Sequence, residues 1–203
     1  TNQKGGVGKT TTCVNLAASL AANRKRVLLV DLDPQGNATV GAGIDKDGLA
    51  ASNYELLMGE TDAATLRCPA ADAGFDLLPA NGDLTAAEIA LMDTAGRERR
   101  LAEALQPVRG DYDYVVIDCP PALNILTVNA LVAADCVLIP IQCEYYALEG
   151  LSALLNTVRR VQQSANSALQ IEGLLRTMFD PRNNLAKQVG AQLLAHFDEQ
   201  VYR

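Results

Sequence analysis

Eight consecutive residues, Lys4-Gly5-Gly6-Val7-Gly8-Lys9-Thr10-Thr11, bring backbone freedom, two amines and two hydroxyls into one short stretch. Glycines 5, 6 and 8 let successive N–H groups turn inward, which is how a loop cradles phosphate oxygens. Lys9 is then placed to reach the outer phosphates and the Thr10 hydroxyl to ligate a magnesium ion. A helix expected over residues 11–22 presents its partial positive end to the same anion. The ordinary spacing, G-x-x-x-x-G-K-[ST], has a glycine where this chain has Gln3, so the loop is a variant with an early lysine. Lys4 lies too early to duplicate Lys9 comfortably on one nucleotide. Two readings stand: it crosses a dimer interface to a partner's triphosphate, or it is an exposed lysine beside an anion. A triphosphate with one magnesium keeps about two negative charges to be offset in the transition state, which favours the first.

Two acids complete the constellation. Asp118 ends the apolar run Tyr114-Val115-Val116-Ile117, so its carboxylate should emerge at the carboxyl edge of a sheet, where open α/β folds bind ligands. There it can hold a water on the magnesium. Asp33 follows the apolar run 26–31 and can approach the terminal phosphate, orienting or deprotonating the attacking water beside the metal. Asp31 ends that run directly and is read as support for the metal shell or for the loop; one of these two acids has room to be structural.

The elements that must position these groups alternate along the chain. Short apolar strands are expected at 26–31, 75–80, 114–118, 136–141 and 169–178. Helices are expected near 54–58, 84–92, 97–106 and 124–133. Leu151, Leu154, Leu155, Val158 and Val161 repeat at helical spacing as a core-facing stripe, and Leu185, Val189, Leu193 and Phe197 mark one face of a last helix. Residues 38–70 are otherwise poorly periodic. Strands alternating with helices predict an α/β fold, a mostly parallel twisted sheet with helices on both faces, in one domain spanning 1–203. Only three residues precede the loop and the final apolar run stops at Arg203, so the expectation is that a first strand and a C-terminal strand and helix are missing.

Composition narrows the partners. Hydrophobic residues make up 49% and aromatic residues 4%, a globular balance, and no apolar run approaches the roughly eighteen residues of a spanning helix. The net charge of −7 rules out nucleic-acid binding by global attraction and leaves only a local basic patch, assembled by dimerisation. The Arg24-Lys25-Arg26 and Arg97-Glu98-Arg99-Arg100 clusters read as solvated surface. Five cysteines without C-x-x-C spacing read as reduced, buried thiols. His196, the single histidine, reads as a surface or capping residue.

Lys4 to Thr11, Asp31-Leu32-Asp33-Pro34-Gln35-Gly36-Asn37 and Asp118-Cys119-Pro120-Pro121 together resemble the deviant Walker A ATPases, a class of P-loop NTPases. In particular they resemble the ParA/Soj partition proteins. The segments 127–131, 142–150 and 177–180 look like the same family, so the resemblance covers essentially the whole chain. It implies a weak, magnesium-dependent ATPase that forms a nucleotide sandwich homodimer on ATP and binds DNA without sequence preference. A ParB/Spo0J-type centromere-binding partner would stimulate hydrolysis to ADP and phosphate. The implied location is cytoplasmic and nucleoid-associated, with no membrane partner. The resemblance makes Lys4 the lysine that contacts the other subunit's ATP and Asp33 the acid needed for hydrolysis, and it leaves Cys119 without a role. Base contacts from Met178 to Pro181, and DNA contacts by Arg182 or Lys187, follow only from position. A MinD-like membrane-associated ATPase that positions the division site would share every nucleotide residue and differ by a C-terminal amphipathic helix. An iron–sulfur reductase built on the same loop would need bridging cysteines, and residues 123–128 contain none.

Overall fold

In the computed structural model, which describes residues 5–92 and 94–202, the run Val27–Asp31 forms the innermost strand, β1, buried at every position. A short antiparallel strand, β2 (Cys68–Ala70), edges β3 (Phe75–Leu78), which runs parallel to β1; on the other side β1 pairs in parallel with β4 (Tyr114–Asp118). The order is β2-β3-β1-β4. Because Asp31 stands opposite Asp118 in the register, both acids emerge at the same carboxyl edge. A second, parallel group contains β5 (Cys136–Gln142), β6 (Gln170–Thr177) and β7 (Val201–Tyr202), in that order.

Parallel neighbours need crossovers, and helices supply them. The first helix, α1 (Lys9–Ala22), packs on β1 and β4. Between β1 and β4 lie the short helices α2 (Asn37–Gly41), α3 (Asn53–Met58), α4 (Ala63–Leu66), α5 (Leu84–Ala90) and α6 (Arg100–Leu105). Then α7 (Ile125–Ala133) links β4 to β5, α8 (Ala147–Ser164) links β5 to β6, and α9 (Asn184–Phe197) leads towards β7. The side chains of β1 alternate between two cores. Leu28 and Val30 pack with Leu57, Leu84 and Leu101, whereas Val27 and Leu29 pack with Ala17 of α1. A third core joins β5 and β6 to α8 and α9. Helix α7 spans two of them: Leu126 and Ala130 belong to the first core, Leu131 and Val132 to the third.

The expected α/β class holds, with the strands in two hydrogen-bonded groups and one antiparallel edge. Element limits moved by up to three residues, and for α7 the reason is capping. Asn124 accepts from the Thr127 N–H at 3.1 Å and so starts α7 one residue later than expected. The unperiodic stretch 38–70 contains α2, α4 and β2, elements too short for a periodic signal, while a Ser52–Glu55 capping box opens α3. The stripe on α8 is buried as expected at Leu151, Leu154, Val158 and Val161. On α9 the buried face is Ala186, Val189, Gly190 and Leu193, and Leu185, in the first turn, is 40% exposed. Cys119 and Cys143 are buried, but Cys136 opens the edge strand β5 and is exposed. No helix among the described residues is long and apolar enough to cross a membrane.

Candidate nucleotide site

The loop before α1 turns on glycines in the left-handed region, Gly6 at φ 75° and Gly8 at φ 83°. Gly8 caps α1 without a side-chain acceptor, and no acid stands in the first turn. The first-turn N–H groups are therefore left for an external anion. On the far side, the Thr177 hydroxyl at the end of β6 donates to the Val7 carbonyl at 2.9 Å and holds the loop over the carboxyl edge.

Lys9 is buried, and burial lowers its pKa against the opposing pull of Asp118 and Asp33. Asp118 is fully buried, and neither carboxylate oxygen has a hydrogen-bond partner. Burial pushes its pKa up; the Thr10 hydroxyl and the Cys13 thiol beside it moderate the rise. A buried carboxylate without donors is expensive unless a cation meets it. Orphaned oxygens next to a threonine hydroxyl at a helix N-terminus fit a hard, oxygen-seeking cation such as magnesium.

Asp33 is also buried, and its Oδ1 accepts from the Gln35 N–H at 3.0 Å, which closes a tight turn. Gly36 follows at φ 63°, and a Cβ there would lie 2.7 Å from the Ala80 carbonyl oxygen, so the turn is pressed against the exit of β3. Asp31 lies deeper. Its Oδ1 accepts from the Asp33 N–H at 3.1 Å, and its Oδ2 accepts from both the N–H and the hydroxyl of Thr39 at 2.8 Å. Its pKa is pushed up to about 6, chiefly by burial, with the Thr39 donors opposing. Of the two acids near β1, Asp31 therefore holds the loop, and Asp33 faces the open space.

That space is a cleft of about 1150 Å³. Gly5, Gly6, Gly8, Lys9, Thr10, Thr11, Asp33 and Met178 all line it, with Asn37 and Gly41 of α2 and Thr177 of β6. Val7 is buried beneath, its carbonyl turned to Thr177, and Asp118 sits fully buried next to Lys9. Met178 has φ 50° and is 60% exposed, whereas Pro181 is in an exposed turn and does not line the cleft. Lys4 lies outside the described residues. Arg182 pairs with Asp180 at 2.9 Å, and Lys187 is exposed on α9. His196 is a surface residue whose Nδ1 lies 2.8 Å from the Gln192 carbonyl oxygen. Cys119 is buried, its thiol pushed up to about 11 by desolvation.

Three residues of this site were not singled out from sequence. Thr39 and Thr177 make the contacts above, and the Asn53 side-chain amide donates to the Asp31 carbonyl at 2.6 Å and the Leu78 carbonyl at 3.0 Å. Only Asn53 carries a local signal, its place inside the capping box that opens α3.

A family model described as "AAA domain" matches residues 1–171. The sporulation initiation inhibitor protein Soj of Bacillus subtilis is 54% identical over all of this chain and 80% of its own length. The chain belongs to the ParA/Soj family of ATPases. A solved Mycobacterium smegmatis structure named cobyrinic acid a,c-diamide synthase, with bound ADP and magnesium, is 44% identical, with a TM-score of 0.92 over 98% of this chain and 80% of that one. A plasmid partition protein from Borrelia burgdorferi is 30% identical, with a TM-score of 0.86 over 98% and 84%.

Proposed function

We propose that this ParA/Soj-family chain is a partition ATPase working as an ATP-dependent dimerisation switch. The observation that carries the reading is the unpartnered, buried Asp118 carboxylate beside Lys9 and Thr10, at the mouth of an uncapped helix. Thr10 and Asp118, with Asp33 alongside, would hold magnesium, which when bound neutralises phosphate charge. Lys9 and the loop N–H groups bind and orient the phosphates of ATP. Asp33 orients the attacking water and accepts its proton, giving ADP and phosphate. Lys4 reaches the partner subunit's triphosphate in a sandwich dimer. The dimer binds DNA without sequence preference through a local basic patch, since the chain's net charge of −7 gives no overall attraction. A ParB-type centromere-binding partner stimulates hydrolysis and ends the DNA-bound state. The protein works in the cytoplasm on the nucleoid and moves chromosomal or plasmid DNA.

Turnover is expected well below about 10 s⁻¹, as suits a timer. Light scattering with ATP should show a doubled mass for wild type and Asp33→Ala, with Asp33→Ala trapped as the dimer, and a monomer for Lys4→Ala; Lys9→Ala should not bind ATP. Co-sedimentation separates this switch from a membrane-positioning one. ATP-dependent pelleting with DNA supports the proposal, and pelleting with liposomes alone overturns it.

A further inference from the structure

The Asp31 side chain does not line the cleft, yet it organises the loop that does. Oδ1 holds the Asp33 N–H, and Oδ2 holds the N–H and hydroxyl of Thr39. The same Thr39 oxygen accepts from the Ala80 N–H at 2.9 Å, just beyond the end of β3. One buried hydroxyl therefore donates to the end of β1 and accepts from the exit of β3. The 33–36 turn lies between those anchors, with Gly36 against the Ala80 carbonyl. Asn53 ties the main chains of the same two strands together, through the Asp31 and Leu78 carbonyls. The place of Asp33 is thus fixed by the sheet as well as by its own turn.

We infer that Thr39 is a positioning residue for hydrolysis: its hydroxyl fixes the Asp31 carboxylate that anchors the Asp33 backbone, and so sets where the Asp33 carboxylate stands over the phosphate cleft. The inference rests on the proposed role of Asp33. Thr39 does not line the cleft, so its loss should act on turnover and leave affinity alone. Valine has the shape of threonine and keeps the backbone N–H that holds Asp31 Oδ2, but its side chain neither donates to Asp31 nor accepts from the Ala80 N–H. Serine does both.

The test compares wild type, Thr39→Val and Thr39→Ser in the full-length protein, by steady-state ATP hydrolysis and by titration with a fluorescent ATP analogue. For Thr39→Val a loss in kcat of about tenfold to a hundredfold is expected, the range for a misplaced reacting group, with analogue affinity within about twofold. Thr39→Ser should recover kcat to within about threefold. Unchanged kcat in Thr39→Val, an equal loss in Thr39→Ser, or weakened analogue binding in step with kcat each overturns the assignment. Should Thr39→Val fail to fold, Thr39→Ala removes the same hydroxyl with less bulk; if both fail while Thr39→Ser folds and turns over, the hydroxyl serves stability and the assignment falls. A wild type that binds the analogue but does not hydrolyse ATP would instead sink the ATPase reading.

Discussion

At the scale of single residues, the site holds a buried carboxylate that its own neighbours offset only in part. Asp118 carries two oxygens with no donor, and its neighbours at the cleft, Lys9 and Asp33, are themselves buried. Asp118→Asn removes that charge at nearly constant shape. The ligand-free variant should match or exceed wild type in denaturant midpoint, while magnesium-dependent nucleotide binding falls by at least about tenfold. The sign follows from the raised pKa. In the folded state Asp118 keeps its proton above the usual carboxylate range, so its relative stabilisation is complete in acid and disappears as pH rises through the raised pKa. The advantage of the asparagine variant should therefore grow from acid towards neutrality, measured by urea denaturation at a series of pH values. Lys9, Thr10, Asp33 and Asp118 were legible in the sequence because the glycine spacing and the ends of apolar runs report them locally. Thr39 and Thr177 were not. Their meaning lies in contacts with Ala80 and Val7, far away along the chain.

At the scale of elements, short pieces do the positioning: α3 was expected near 54–58, whereas α2, which carries Thr39, was not. The strand ends at Asp31 and Asp118 were readable because five-residue apolar runs stop there, and the parallel register then sets the two acids side by side. α2 escaped notice because five residues are too few for a helical pattern. The 33–37 turn depends on one backbone position. Gly36→Ala puts a side chain at φ 63° and a methyl group 2.7 Å from the Ala80 oxygen. A loss of about 2–4 kcal/mol is expected, seen as a lower denaturant midpoint, together with reduced turnover because Asp33 is displaced. A variant as stable and active as wild type would show that the turn tolerates another course.

At the scale of the whole molecule, α7 decides how the two strand groups behave together. It contributes Leu126 to the core around β1 and Leu131 to the core around β5 and β6. Asn166 donates to the Leu131, Val132 and Ala134 carbonyls, and so fastens the end of α7 to the turn after α8. Leu126→Ala and Leu131→Ala should each cost about 2–5 kcal/mol and still unfold in one transition, recorded by circular dichroism and by Tyr fluorescence. Two separated transitions in either variant would mean that the halves fold on their own. The split into two groups was invisible in the sequence, where every strand reads as a member of one sheet.

The bond from Thr177 to the Val7 carbonyl gives this arrangement a mechanical side. It is a stitch between the anion loop and the last residue of a strand whose neighbours, β5 and β7, lie in the other half of the molecule. Any tightening of the loop around a polyanion tugs on β6 and on the helix that leaves it. A chain with that stitch cut would lose this direct tie between the anion loop and β6.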